Sequence, residues 1–323
     1  MIDAVASPDV AAEQATIALR AELSRIGTSR LAVLIDPAAF NPLGQLSVYM
    51  PERMRPIHLA VKHPDLSSEN SPYLLWIDDE LSAERLISAT FSIAAQESFA
   101  GVNSARNARS ICAWLPIEAD STFNARSLAI SLGANACVSD FQGKSLYFRY
   151  FDPRVMGHLG RILGEGQRSA LISPLSSWLF LDHRGTIKVA HAERECDVPA
   201  RKLRLSHQQR IDLERVAWLQ QLRCLALTWG MNELPEDHQM DAALSLAQSA
   251  GLESQEDCLV FASCVFLLGP RFSKFPLVDR VLSVATRRPG YFASSIARLE
   301  DAQLQEIRSA TNQQCLLEGY RYE

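Results

Sequence analysis

Four charged side chains stand where apolar runs of this sequence break off: Asp36 after residues 31–35, and Arg149, Asp152 and Arg154 around the end of the aromatic stretch 146–151. Junctions between a strand and a helix are where α/β folds hold anions and place catalytic groups. A carboxylate there can move a proton, and a guanidinium beside it can hold a carboxylate or phosphate through parallel hydrogen bonds. The same residue types also have a structural use. Aspartate at a helix N-cap accepts from the orphan amides of the first turn, and proline suits the first helical position because its missing N–H would have no partner there. Asp152-Pro153 has that form, and an arginine paired with Asp152 would tie strand to helix. The junction therefore reads first as a lock. The alternative is a hydrolase-like or transferase α/β enzyme using Asp36, Asp152 and Arg154.

Other catalytic patterns are weaker. His58 and His63 are five residues apart in a proline-bearing loop, and His183 and His191 straddle a turn. Neither pair has the helical i, i+4 spacing or the nearby carboxylates of a zinc site. No Gly-x-Ser-x-Gly elbow occurs. Glycines 157, 160, 164 and 166 imitate a phosphate loop, but they fall within and after a helical pattern, where close helix packing and a cap explain them. Asp78-Asp79-Glu80 can hold a cation, and equally it can open a helix whose dipole favours negative charge. The reading is no metal, no cofactor and no catalytic residue.

The elements that carry these side chains follow from periodicity. Helical spacing runs from Ser7-Pro8 to Gly27; residues 31–35 and 73–77 read as strands, 46–50 and 57–61 as weak ones, and 110–115 as another strand. Helices are expected over 82–99 and from a cap at Ser121 or Thr122 through Gly133. Residues 136–139 lead through a turn at Gln142-Gly143 into 146–151, whose aromatics on both faces describe a central strand, and the period then becomes helical through Val155, Met156, Leu159, Ile162 and Leu163. A hairpin is expected around Asp182-His-Arg-Gly185. From 206 onward the pattern is helical: 206–229, 235–250, 254–268 after a capping turn, 276–286, 290–299, and a last helix from 301. The fold class is α+β, with an N-terminal α/β lobe over 1–191 built on a mixed sheet, a polar linker over 192–204, and an all-α C-terminal lobe over 205–323.

Composition narrows the partners. The chain has 323 residues, 47% of them hydrophobic and 21% charged, so each lobe can bury a core. A net charge of -5 with no basic block argues against nucleic acid and anionic membranes. Seven scattered cysteines without a Cys-x-x-Cys pair suggest small core residues in a reducing cytoplasm. The N-terminus lacks a basic region followed by an apolar core, and no apolar run approaches the ~20 residues of a membrane span. Aromatics gather in the helical half. Phe272, Lys274 and Phe275 fall between helices, and with Phe266 and Trp178 they are the candidates for contact with a partner protein.

The run Phe148-Arg149-Tyr150-Phe151-Asp152-Pro153-Arg154-Val155, then an amphipathic helix and Ser177-Trp178-Leu179, resembles the signature of the type VI secretion effector chaperones, or adaptors. Residues 243–276, with an Ala-Gly helix end, an acidic capping turn, Leu-Gly-Pro and Phe-x-x-Phe-Pro, resemble the C-terminal lobe of that family. The first strand followed by an aspartate also recurs there, although a small residue rather than Pro37 is expected next. The resemblance implies a bacterial cytoplasmic protein that is not an enzyme. It implies binding of a cognate toxin effector, held between the lobes, and help in loading it on a spike protein of the VgrG or PAAR type, the spike being reached through the effector. Arg149, Asp152, Pro153 and Arg154 are then its structural signature.

Overall fold

Leu31 to Ile35 contain no polar residue, and all five are buried as strand β1 (Leu31–Ile35) of a computed structural model. That model describes residues 8–28, 30–38, 40–64, 66–78, 80–99, 109–192, 203–229, 231 and 234–317. The other strands are β2 (Ile57–His58), β3 (Tyr73–Ile77), β4 (Ile111–Pro116), β5 (Cys137–Ser139), β6 (Ser145–Tyr147), β7 (Ser177–Leu181) and β8 (Ile187–His191). Six of them form one sheet in the order β2-β3-β1-β4-β7-β8, while β5 and β6 form a separate pair, with Ser139 of β5 also bridging Arg204. The α+β class is as the sequence implies. The sheet is not mixed, however: every strand pairing is antiparallel. The helices between strands return the chain to neighbouring positions without creating a parallel pair.

Alternation along β1 divides the first compact unit, residues 1–216, into two cores. Leu31, Val33 and Ile35 face a cluster with Leu19 of α1 (Pro8–Ile26) and Leu86 and Phe91 of the long helix Glu80–Phe99. Phe91 stacks on Trp114 at 3.8 Å, and the Trp114 indole N–H donates to Thr90 Oγ1 at 2.9 Å. With the short helix α2 (Leu43–Leu46) ahead of it, Glu80–Phe99 is α3. Ala32 and Leu34 face the other cluster, which holds Leu128 and Leu132 of α4 (Ala125–Asn135), Tyr150, Phe151 and Trp178. Residues 43–49 are helical rather than a strand because Pro42 and the polar turn after it favour a short helix followed by a 3-10 turn, Ser47–Tyr49. Helix α4 is capped by Asn124, whose side chain accepts from Ser127 N in a reciprocal pair, and not by Ser121 or Thr122.

The largest correction concerns 146–151. Strand pairing ends at Tyr147, and the residues that follow are turn and coil, so this is not the central strand. Phe148, Tyr150 and Phe151 are buried because the segment threads through the core beside α4 and β7, with Tyr150 5.8 Å from Trp178 and its hydroxyl donating to Leu132 O at 3.3 Å. Burial on both sides made a coil look like a two-faced strand. Helices α5 (Pro153–Ile162) and α6 (Glu165–Ile172) follow.

The second unit, residues 217–323, is all helical where described. The division falls inside α7 (His207–Thr228): Leu213 and Val216 pack in the first unit's core, Leu219 and Leu222 in the second's. Of the expected linker, 193–202 lie outside the described residues. The unit continues with α8 (Asp237–Ser249), α9 (Gln255–Leu268), α10 (Pro276–Ala285), α11 (Tyr291–Ile296) and α12 (Asp301–Leu317). Asp257 is buried, and backbone amides satisfy it: Gly290 N donates to Oδ2 at 2.7 Å and Ala293 N to Oδ1 at 2.8 Å. Phe261, Phe272 and Phe292 form the aromatic centre. No described helix is long and apolar enough to cross a membrane.

Gly133 allows α4 to lie directly on the chain at Ala60: an added Cβ would stand 2.6 Å from Ala60 N and 2.7 Å from its carbonyl carbon. Backbone cannot rotate away, so Gly133→Ala should lower stability by about 1–3 kcal/mol, read as a reduced denaturant midpoint at unchanged slope.

Candidate functional site

The side chains singled out in the sequence meet at one end of the sheet. The pairing of β1 with β4 shifts register between Leu34 and Ile35, and Asp36 N donates to Ser110 O at 2.8 Å just beyond. This irregular end leaves the Asp36 side chain fully buried yet turned toward the 148–152 segment. Its Oδ1 accepts from Ala38 N at 3.0 Å, a local turn that proline at 37 permits because Pro37 has no N–H of its own to satisfy. Its Oδ2 accepts from Arg149 Nε at 3.0 Å and Nη2 at 2.6 Å.

Asp152 caps α5. Oδ1 accepts from Arg154 N at 3.0 Å, Pro153 fills the first helical position, and the Asp152 carbonyl accepts from Val155 N and Met156 N, each at 2.8 Å. The carboxylate also holds Arg154 by a fork, Nε to Oδ1 at 3.0 Å and Nη2 to Oδ2 at 2.7 Å, and Arg149 Nη2 lies 3.8 Å from Oδ2. The four residues thus form a ladder, Asp36, Arg149, Asp152, Arg154, with charges alternating in sign.

The two carboxylates respond differently to the same surroundings. Burial raises the Asp36 carboxyl above the usual range, and Arg149 only partly opposes it. Burial also acts to raise Asp152, but the hydrogen bond and charge of Arg154, together with Arg149, outweigh it and leave that carboxyl below the usual range. Both guanidinium groups are held more firmly in the charged form: burial works against them, and the aspartates more than offset it.

A second layer adjoins the ladder. Glu97 of α3 accepts from Ser110 N at 3.0 Å and from the Ser110 hydroxyl, and burial raises its carboxyl. Arg109 is buried, its guanidinium pushed down to about 10 by desolvation, and among the described residues its Nη1 has no hydrogen-bond partner. The Cys112 thiol is fully buried, and burial pushes it well up. Glu97 and Arg109 carry no local signal, because they sit beside a stretch of residues with no clear period. Asp140 was also missed. It is buried, accepts from Gln142 N and Lys144 N at 2.9 and 2.8 Å, and pairs with Arg210 of α7 at 3.0 Å. Its clue was the Gln142-Gly143 turn, where Gly143 takes φ 85°.

Of the candidates for a partner surface, Trp178 and Phe272 are 0% exposed and belong to the two cores, which corrects their reading as contact residues. Phe272 lies in a 3-10 turn, Phe272–Lys274, whose apolar side chain turns inward because Phe261 and Phe292 receive it. Phe266 and Phe275 are half-buried against the second core, and Lys274 is exposed. Gly157 and Gly160 lie in α5, Gly164 is the N-cap of α6 and Gly166 lies inside it, and none is closely packed, since an added Cβ would meet nothing nearer than 3.7 Å. Asp78 is exposed ahead of α3, and Asp79 lies outside the described residues. Among the described residues no group of three or more His, Cys, Asp or Glu is placed to hold a metal ion.

Each oxygen of Asp36 and Asp152 accepts from a guanidinium, a backbone amide or both. Comparison with family models, curated proteins and solved structures finds no match to this chain.

Removing the Asp152 carboxylate takes away a cap and the forked partner of Arg154, so Asp152→Ala should lower stability by roughly 1–3 kcal/mol, seen in the melting curve. Because the folded-state carboxyl of Asp152 is depressed, its stabilisation is present above the unfolded value of ~3.9 and is lost as pH falls through the lower folded value. Asp36, raised, acts with opposite sign. Wild type should therefore lose more stability than Asp152→Asn on acidification from about pH 5 to pH 2, measured by urea denaturation.

Proposed function

We propose that the chain is a chaperone or adaptor for a type VI secretion effector, working without catalysis in the cytoplasm and helping to load that toxin on the secretion spike. The observation that carries the reading is the closed ladder at Arg149, Asp152, Pro153 and Arg154: the residues that resemble the family's signature pair with one another and with Asp36 instead of facing an open site. Such a ladder serves as architecture. It holds the 148–151 aromatics in the core and fixes where α5 begins.

A carrier of this kind needs no turnover. Covering apolar segments of the cargo contributes ~25 cal/mol per Å², less the cost of ordering both partners, and keeps the cargo soluble until release. The enzyme alternative gains from one fact, that Asp36, Asp152 and Arg154 do converge on one sheet end. It requires Asp152→Ala to abolish a turnover while leaving the fold intact, whereas the proposal requires the same change to weaken the fold or cargo binding.

Co-expression with a toxin encoded beside it, which the proposal requires to exist, is the direct test. The toxin should co-purify with the chain and become insoluble when the chain is omitted. A toxin that stays soluble alone and never co-purifies would overturn the proposal.

A further inference from the structure

Strand β8 closes one side of the sheet and pairs with β7 along its length, Ser177 opposite His191 and Leu181 opposite Ile187. Among the described residues no strand pairs with its other edge. The register decides which backbone groups face that edge. Ala192 N donates to Ser176 O at 3.0 Å and Asp182 N to Thr186 O at 2.9 Å. The bonded pairs are therefore the even-numbered ones, and Lys188 and Ala190 turn their N–H and C=O toward β7. Ile187, Val189 and His191 turn theirs outward. Val189 is 41% exposed, and Lys188 and His191 are exposed too. The opposite edge strand, β2, has only two residues and offers no comparable template.

The two faces of this edge differ. Ile187 and Val189 stand on the face of Leu179 and Leu181, an apolar row. Lys188 stands on the other face, its side chain 53% exposed and its ammonium 3.6 Å from Asp182. Arg184 is exposed at the tip, so the hairpin carries two cations, Arg184 and Lys188, against the one carboxylate of Asp182, whose Oδ1 accepts the amides of Arg184 and Thr186.

The geometry points to β8 as a docking edge for an extended segment that alternates apolar and acidic residues, with apolar side chains beside Val189 and carboxylates beside Lys188. Main-chain bonds would give affinity and the alternating side chains selectivity. A second copy is the poorer occupant, since pairing β8 with itself brings two Lys188 ammonium groups onto one face of the joined sheet. That the effector supplies the segment rests on the proposed function; the edge itself does not.

The test uses the full chain and a fluorescein-labelled peptide, Asp-Val-Glu-Val-Asp-Val-Glu, followed by anisotropy, with hydrogen exchange read at Val189 and His191. Saturable, salt-sensitive binding that protects both amides is expected. Val189→Pro removes an outward donor and no bond to β7, so it should weaken binding ~10-fold or more with the melting curve unchanged. Lys188→Glu should weaken the acidic peptide and admit one in which lysine replaces its acids. No saturable binding to wild type, binding undiminished in both variants, or a dimer that Val189→Pro abolishes would each overturn the inference. Peptide binding without effector co-purification removes the proposed role and leaves the edge; the reverse removes the edge alone.

Discussion

A carboxylate taken out of water between two guanidinium groups loses its hydration and must recover it from fixed donors. At Asp152 the recovery is complete enough to leave the group more acidic than in water, because a helix amide, a forked Arg154 and a nearby Arg149 converge on two oxygens. Much of the first unit is arranged around that point. Arg149 reaches from it to Asp36 at the irregular end of β1, so helix, aromatic segment and sheet are joined by charge where no strand pairing joins them. The segment between, 148–151, has few regular backbone bonds, and its position depends on buried rings on one side and this ladder on the other.

The second unit solves a related problem with backbone amides. Asp257 is as buried as Asp152, yet two amides at the start of α11 satisfy it, and Ser254 caps its own helix through Asp257 N at 3.1 Å. Gly290 takes φ 79° there, the left-handed turn that lets its N–H reach the carboxylate. In both units a buried aspartate marks the place where one element must start relative to another. Such sites resemble catalytic centres in composition, and here amides and guanidinium groups of the fold hold the carboxylates.

How legible this was depended on the source of the order. Residues 31–35 and 73–77 declared themselves as strands because continuous apolar runs of five have few other uses, and the helical half was readable from spacing and from Ser254, Gly251 and Gly269 at its stops. The Asp152 cap was readable too, since N-cap and N1 preferences are local. What failed was tertiary. Residues 148–151 carried the composition of a buried strand but no strand partner, and Phe272 looked like loop surface although two rings from elsewhere in the chain receive it. Arg149's partner lies 113 positions away, a pairing that local pattern cannot announce.

The free thiols have a practical consequence. Cys112 and Cys137 are sealed in the first unit, Cys258 and Cys264 in the second, and none pairs with another. Reagents that alkylate sulfur reach such groups only during transient opening, so the rate at which each becomes labelled is a clock for breathing of its own surroundings. Nature has in effect placed separate gauges in the two halves, able to tell whether they loosen together or one at a time.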